Sequence, residues 1–191
     1  MANYRVKGTH IFQARRWIDE HLGAGSFGEL TAALREPDRP EWPGPILAGS
    51  WYDVDPLQSI LATVSTHTKI TVETIATEIA VMNAKHDLIT VYRAFLRVAG
   101  PHLTLSATHK LWSNYVAFAE AKAIKNEPGA YVGECYGIPR HLVPWACGCW
   151  LGFIPTAIEI SSGRNCVGAI SMKRRQEGSD LWMLQLTAAY E

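Results

Sequence analysis

The four cysteines are the first residues in this sequence whose type and spacing could do chemistry. They are Cys135, Cys147, Cys149 and Cys166, all in the last third of the chain. Zinc ribbons and thioredoxin-like sites use a Cys-x-x-Cys spacing, whereas Cys147 and Cys149 are separated by one residue. Two positions apart on a helix, their thiols point roughly 200° away from each other and do not converge on one ion. We predict no metal site, and interpret the cysteines as small apolar residues or, alternatively, as an anchor for an acyl chain.

The other chemistry-bearing residues form no catalytic motif. The sequence has 7 histidines, none in an H-E-x-x-H spacing, and it has neither a G-x-S-x-G nor a P-loop pattern. Asp53 and Asp55 precede a proline and fit helix capping better than acid–base work. The basic run at 173–175 fits a solvated turn. We therefore expect a protein that is not an enzyme, with His109 the one histidine retained as a candidate because it lies near a predicted apolar pocket.

Large aromatic residues give the more informative pattern. They lie in the predicted sheet and in the helix that must cover it, where most rings form core. Beside glycines and cysteines such rings can leave gaps, and small-molecule sites are mostly apolar clefts with few polar groups. We predict that the wall of such a pocket consists of Trp112, Tyr115, Phe118, Trp145, Cys149 and Phe153.

The elements that position these residues divide into helices first and strands later. The N-terminal part predicts helices over 9–22, over 27–34 with Ser26 as the cap, from Asp55, over 71–85, and over 87–99 with Asp87 as the cap. A proline-rich stretch, 35–45, predicts an extended surface loop. Apolar residues of the last predicted helix recur at i, i+3, i+4 and i+7, which is typical of one buried face.

Beyond Trp112 the pattern changes to strands around one uncharged helix. Strands are predicted over 115–119, 129–136, 165–174 and 181–190, with a turn at 126–129. The uncharged segment 142–158 is at the lower edge of membrane-span length and contains glycines and prolines, so we interpret it as a helix buried inside a soluble domain. This arrangement predicts an α+β fold: N-terminal helices packed with a C-terminal antiparallel sheet that one apolar helix covers.

Composition sets the broad class. The 191 residues are 48% hydrophobic and 19% charged, which favours one packed domain over 1–191 and excludes a disordered chain. Lys plus Arg and Asp plus Glu number 18 each, so no net charge draws in nucleic acid or an anionic membrane. The N-terminus has no apolar run of signal-peptide length, and we expect a cytoplasmic protein without a transmembrane span.

Several short motifs resemble one superfamily of α+β domains. The opening Lys7-Gly-Thr-His-Ile-Phe12, with Trp17-Ile18, resembles the start of haem-nitric-oxide-binding domains, and 92–100 followed by Leu111-Trp112 resembles their central segment. The chain also resembles an uncharacterised myxobacterial family with a Trp-Tyr after a proline-rich loop, here Trp51-Tyr52. That family, the vinyl-four-reductase domains and the Bet-three-like subunits of the TRAPP tethering complex share the fold, which implies a signalling or adaptor role and a homodimer.

The resemblance does not carry over to haem. The haem-ligating histidine of those domains follows a leucine, and that pair is Leu111-Trp112 here, with His109 one turn earlier. Their Tyr-x-Ser-x-Arg motif holds the haem propionates, and the stretch from Tyr115 to Ala119 has neither Ser nor Arg in place. We expect no cofactor and a non-enzymatic sensor whose pocket takes an acyl chain or an aromatic molecule. The alternatives are a tethering-like protein-interaction module with a filled core, and a haem gas sensor that uses His109.

Overall fold

The fold consists of a mostly helical N-terminal half followed by a C-terminal sheet. The computed structural model describes residues 4–35, 39–40, 42, 45–90, 105, 112–162 and 165–190. In chain order its elements are β1 (Arg5–Lys7), α1 (Gly8–Leu22), α2 (Ser26–Ala33), β2 (Trp51–Asp53), α3 (Asp55–Thr68), α4 (Val72–Thr90), β3 (Glu120–Glu127), β4 (Ala130–Pro139), α5 (Val143–Ser162), β5 (Cys166–Arg175) and β6 (Leu181–Tyr190). The predicted α+β plan is confirmed. Much of the predicted 35–45 loop lies outside the described residues.

The first two helices begin and end close to the predicted positions. Helix α1 ends at Gly23, whose φ of 111° is a conformation that side chains other than glycine rarely adopt. The predicted cap of α2 was wrong, because Ser26 is the first helical residue and makes no side-chain capping bond. The Asp19 carboxylate serves that helix end instead, since its Oδ1 accepts a hydrogen bond of 2.9 Å from the Phe27 backbone N–H.

Helix α4 is longer than the sequence pattern predicts. It runs unbroken from Val72 to Thr90, so the predicted boundary between 85 and 87 does not exist and Asp87 is not a cap. Its carboxylate is instead buried and hydrogen-bonded by the Tyr115 hydroxyl, an interaction that a sequence pattern does not contain. The rest of the predicted helix, 91–99, lies outside the described residues.

The C-terminal sheet has four antiparallel strands in the order β3-β4-β6-β5. The predicted turn joins β3 to β4, and Gly129 there has a φ of 81°. The predicted strand over 115–119 was wrong: residues 112–115 form a helical turn in which the Val116 N–H donates to the Trp112 carbonyl at 2.9 Å. Val116 forms only an isolated bridge to Val6, and the strand begins at Glu120.

Helix α5 packs between the sheet and α4. A Cβ placed on Gly148 would lie 2.6 Å from the Ala76 Cβ, and one on Gly152 would lie 2.7 Å from the Ala80 Cβ, so the two helices touch almost backbone to backbone. Within the described chain, Arg140–Ser162 is the one segment long and apolar enough to cross a membrane, and 61% of its most apolar window is buried inside the protein. That burial agrees with the predicted role as a covering helix.

Candidate functional site

A cavity of about 40 Å³ lies beneath α5, in the part of the chain that the structure describes. This is the space open to a water-sized sphere, and one water needs roughly 10–15 Å³ of it, so about three waters fit. Five pieces of the fold meet there: α1, α4, α5, the edge of the sheet and the helical turn at 112–115. Its walls are His10, Ala80, Asn83, Trp112, Tyr115, Ala121, Tyr131, Cys149, Trp150, Phe153 and Ile154.

Four of the six predicted wall residues line this cavity: Trp112, Tyr115, Cys149 and Phe153. The other two stand behind it. The Trp145 ring packs edge-on against the His10 imidazole, with 5.5 Å between centroids, and the Phe118 ring lies 6.4 Å from Trp145. The structure thus brings all six into one neighbourhood, while their role in ligand binding stays a prediction.

Aromatic rings fill most of the space under α5. The Trp112 and Trp150 rings meet edge to face at 5.6 Å, and the Tyr115 and Phe153 rings lie 6.0 Å apart. The remaining volume is far below the roughly 300–1,000 Å³ of a drug-sized site. A molecule of a few non-hydrogen atoms fits, whereas a long acyl chain fits only if these rings move apart.

Sequence reasoning missed a buried polar pair, His10 and Asn83, on the helical side of the cavity. The Thr9 hydroxyl donates to Asn83 Oδ1 at 3.1 Å, and Asn83 Nδ2 donates to His10 Nδ1 at 3.4 Å. In this assignment the imidazole carries its proton on Nε2. Burial lowers the pKa of His10 from 6.5 to about 4, although the Asp87 carboxylate raises it, so His10 is neutral at pH 7. The sequence does contain a signal that His10 is buried, because His10 lies on the same face of the helix as Ala14 and Trp17, at i, i+4 and i+7 spacing.

A second buried polar group, the Asp87 carboxylate, lies beside the cavity. The Tyr115 hydroxyl donates to its Oδ2 at 2.6 Å, and His86 Nδ1 bonds its Oδ1 at 2.9 Å. Asp87 also borders an open surface groove, where it lies with Lys7 and Trp51. The hydroxyl of Tyr115 is thus anchored by Asp87, and Tyr115 lines both the buried cavity and the groove.

Within the part of the chain that the structure describes, three buried N–H groups of cavity residues have no hydrogen-bond partner: His10 Nε2, Trp112 Nε1 and Trp150 Nε1. A buried polar group without a partner costs free energy, and native proteins leave few of them. All three are donors in the tautomer described above. The site thus combines a mostly carbon surface with N–H groups that an acceptor could satisfy.

The thiols are chemically quiet. All four cysteines are buried and free, and burial raises the pKa of Cys147 and of Cys166 to about 11 and the pKa of Cys149 well above its usual value. Because the thiolate is the nucleophile and the metal ligand, these side chains are poorly suited to either role. Among the described residues, no three His, Cys, Asp or Glu side chains are grouped for a metal ion.

Solved structures of H-NOX domains, the haem-nitric-oxide-binding class, share this fold. The Fe(II) unliganded H-NOX protein from K. algicida aligns with a TM-score of 0.74 at 10% identity, over 97% of this chain and 96% of that one. An oxygen-binding H-NOX domain related to soluble guanylate cyclases aligns with a TM-score of 0.68 at 13% identity, over 97% and 95%. No family model and no curated protein matches the sequence. The likeness establishes an H-NOX-type fold, as the short motifs predicted.

The described residues around the cavity do not fit a haem group. A stretch with the spacing of the Tyr-x-Ser-x-Arg motif lies on β4, where Tyr131 is followed by Gly133 and Cys135. A Cβ on Gly133 would lie 2.6 Å from the Tyr131 hydroxyl and 2.8 Å from Trp150 Cζ3, so rings occupy the place of the serine. Cys135 is a buried thiol whose pKa burial raises, and it offers no positive charge to a propionate. The predicted alternative ligand, His109, lies outside the described residues.

Proposed function

We propose that this chain is a non-enzymatic sensor domain that binds a small hydrophobic molecule in the cavity beneath α5, without haem. The cavity carries the proposal. Protein cores leave few voids larger than a water molecule, and this one persists among rings that could have filled it. The H-NOX fold supports the assignment by analogy, since one of the aligned structures is an oxygen-binding H-NOX domain related to soluble guanylate cyclases.

The size of the cavity narrows the predicted ligand classes. Acyl chains and aromatic molecules were both expected from the sequence, and the space of about 40 Å³ favours the smallest members of each class. The predicted homodimer belongs to the same proposal, because a sensor domain passes its signal to a partner surface. The cytoplasmic location expected from the sequence is proposed with it. Static light scattering of the purified chain tests the dimer.

Bound-ligand analysis with a cavity-filling variant tests the proposal. The purified chain is analysed by native mass spectrometry before and after solvent extraction, and then titrated with small aromatic and short acyl compounds while tryptophan fluorescence is followed. Ala121 lines the cavity from β3, so Ala121→Leu should fill the space and abolish binding. Ala123, exposed on the same strand, provides the control, and Ala123→Leu should bind as the wild type does.

Two results would contradict the proposal. One is equal binding by the Ala121→Leu and Ala123→Leu variants, which would place the ligand elsewhere. The other is a chain that carries and takes up no small molecule, which would favour the protein-interaction module with a core filled by its own side chains.

A further inference from the structure

The unpartnered N–H groups restrict the ligand more than the shape of the cavity does. His10 is almost fully buried, and its Nε2 has no partner among the described residues while its Nδ1 is held by Asn83. Trp112 and Trp150, which meet edge to face, each add an indole N–H that no described residue accepts. A ligand that brings an acceptor atom relieves these unmade hydrogen bonds, whereas a hydrocarbon leaves them unmade.

The charges of the described residues around the cavity disfavour an anionic acceptor. No lysine or arginine is among the described residues that line it. Among the described residues, the Asp87 carboxylate is close enough to His10 to raise its pKa. A carboxylate ligand would lose its hydration in an apolar space and would be repelled by Asp87. The acceptor is therefore neutral.

Water competes less well than a carbonyl compound for this site. A water molecule accepts hydrogen bonds from the N–H groups, but most of the surface around it is carbon from rings such as Phe153, and few oxygens, those of Asn83, Tyr115 and Tyr131, can accept its own hydrogens. A carbonyl group accepts without donating, and the carbons attached to it suit the apolar walls.

We propose that the sensed molecule is a small neutral carbonyl compound. Its oxygen accepts hydrogen bonds from the N–H groups of His10, Trp112 and Trp150, and its carbon skeleton contacts Phe153 and Ile154. This inference rests on the proposed function, because it names the ligand of the same cavity.

Three isosteric probes test the inference. Acetone, isobutene and acetate share one planar Y-shaped skeleton and differ in whether the central group is a neutral acceptor, an alkene or an anion. Each is titrated into the ¹⁵N-labelled full-length chain while the indole N–H resonances are followed by NMR. Acetone should bind about a hundredfold more tightly than isobutene, which corresponds to three hydrogen bonds worth about fivefold each, and acetate should not bind. The indole resonances of Trp112 and Trp150 should shift downfield with acetone alone.

Variants that remove one N–H and keep a ring make the test specific. Trp112→Phe and Trp150→Phe should each weaken acetone binding about fivefold and leave isobutene binding nearly unchanged. Trp182 is half-buried on β6 away from the cavity, so Trp182→Phe is the matched control and should change neither affinity. His10→Phe removes the third donor, and the tryptophan variants keep the test valid if that variant fails to fold.

The outcomes separate a failure of the carbonyl inference from a failure of the proposed function. If isobutene binds as tightly as acetone, or if acetate binds best, the carbonyl inference is overturned while the cavity remains a ligand site. If none of the probes binds, the carbonyl inference is overturned, and the titration with aromatic and short acyl compounds decides the proposed function separately. If acetone binds without shifting either indole resonance, the N–H groups do not hold it and the inference is again overturned.

Discussion

Replacing Gly148 with alanine should destabilise the protein, although the same change in an exposed helix interior stabilises it. Helix α5 touches α4 here, and a new Cβ would lie 2.6 Å from the Ala76 Cβ, 2.8 Å from the Thr77 backbone nitrogen and still closer to the Glu73 carbonyl oxygen. Ordinary contact begins near 3.4 Å, so the helices must separate by about 0.8 Å or more. Backbone atoms and a methyl group cannot rotate out of the way as a long side chain can.

Two opposing terms set the size of this effect. Overpacking a well-packed core costs about 1–3 kcal/mol, and a rigid backbone contact belongs at the upper end. Replacing glycine with alanine stabilises a helix by about 1 kcal/mol, because alanine has the higher helix propensity. The expected net loss is therefore about 2 kcal/mol in the free energy of unfolding. For a chain of this size it lowers Tm by roughly 4–8 °C.

Urea unfolding followed by circular dichroism measures this loss, and a glycine elsewhere provides the control. Gly28 lies in helix α2, and a Cβ added there would meet nothing within 4 Å, so Gly28→Ala should stabilise the protein by about 0.5–1 kcal/mol. The double variant Gly148→Ala/Gly152→Ala should cost less than the sum of its singles, because one separation of the helices relieves both clashes. A Gly148→Ala protein as stable as the wild type would refute the close contact between α4 and α5.

Three further predictions concern the buried polar groups. The pKa of His10 is about 4, below its unfolded value of 6.5, so the unfolded chain binds one more proton than the folded chain as the pH falls. The stabilisation from neutral His10 is complete above pH 6.5 and should drop by about 3 kcal/mol towards pH 4. The difference in urea unfolding between wild type and His10→Phe measures this loss. Tyr115→Phe removes the hydrogen bond to buried Asp87 and should cost about 1–3 kcal/mol, seen as a lower Tm. Cys149 should resist maleimide labelling at pH 8 until urea unfolds the chain, as mass spectrometry can show.

The sequence predicts those elements that depend on local patterns. The end of α1 at Gly23, the turn before Gly129 and the last two strands follow from residue types within a few positions of each other. Where the predicted cap at Asp87 failed, the partner of that residue lies far away in the sequence. Asp87 resembles a cap in its local sequence, but it is fixed inside α4 by Tyr115, 28 positions further along the chain.

The candidate site shows the same limit. The aromatic cluster could be predicted because its residues lie in or beside one apolar helix, and four of the six predicted residues line the cavity. His10 and Asn83 are 73 positions apart, and only the packing of α1 against α4 brings them together. A histidine on the buried face of a helix can be detected in the sequence, but the sequence does not show that Asn83 is its hydrogen-bond partner.

The buried cavity and the surface groove share one wall, and this wall is held by hydrogen bonds as well as by packed rings. On that side stand two hydrogen-bonded pairs, Thr9 with Asn83 and Tyr115 with Asp87. Breaking each pair costs about 1–3 kcal/mol, and incoming solvent can replace the lost bond, whereas interlocked rings gain nothing from water when they part. We therefore expect a ligand of the proposed site to enter and leave on this polar side. Its residence time should then depend on these two hydrogen bonds, separately from how tightly the rings hold it.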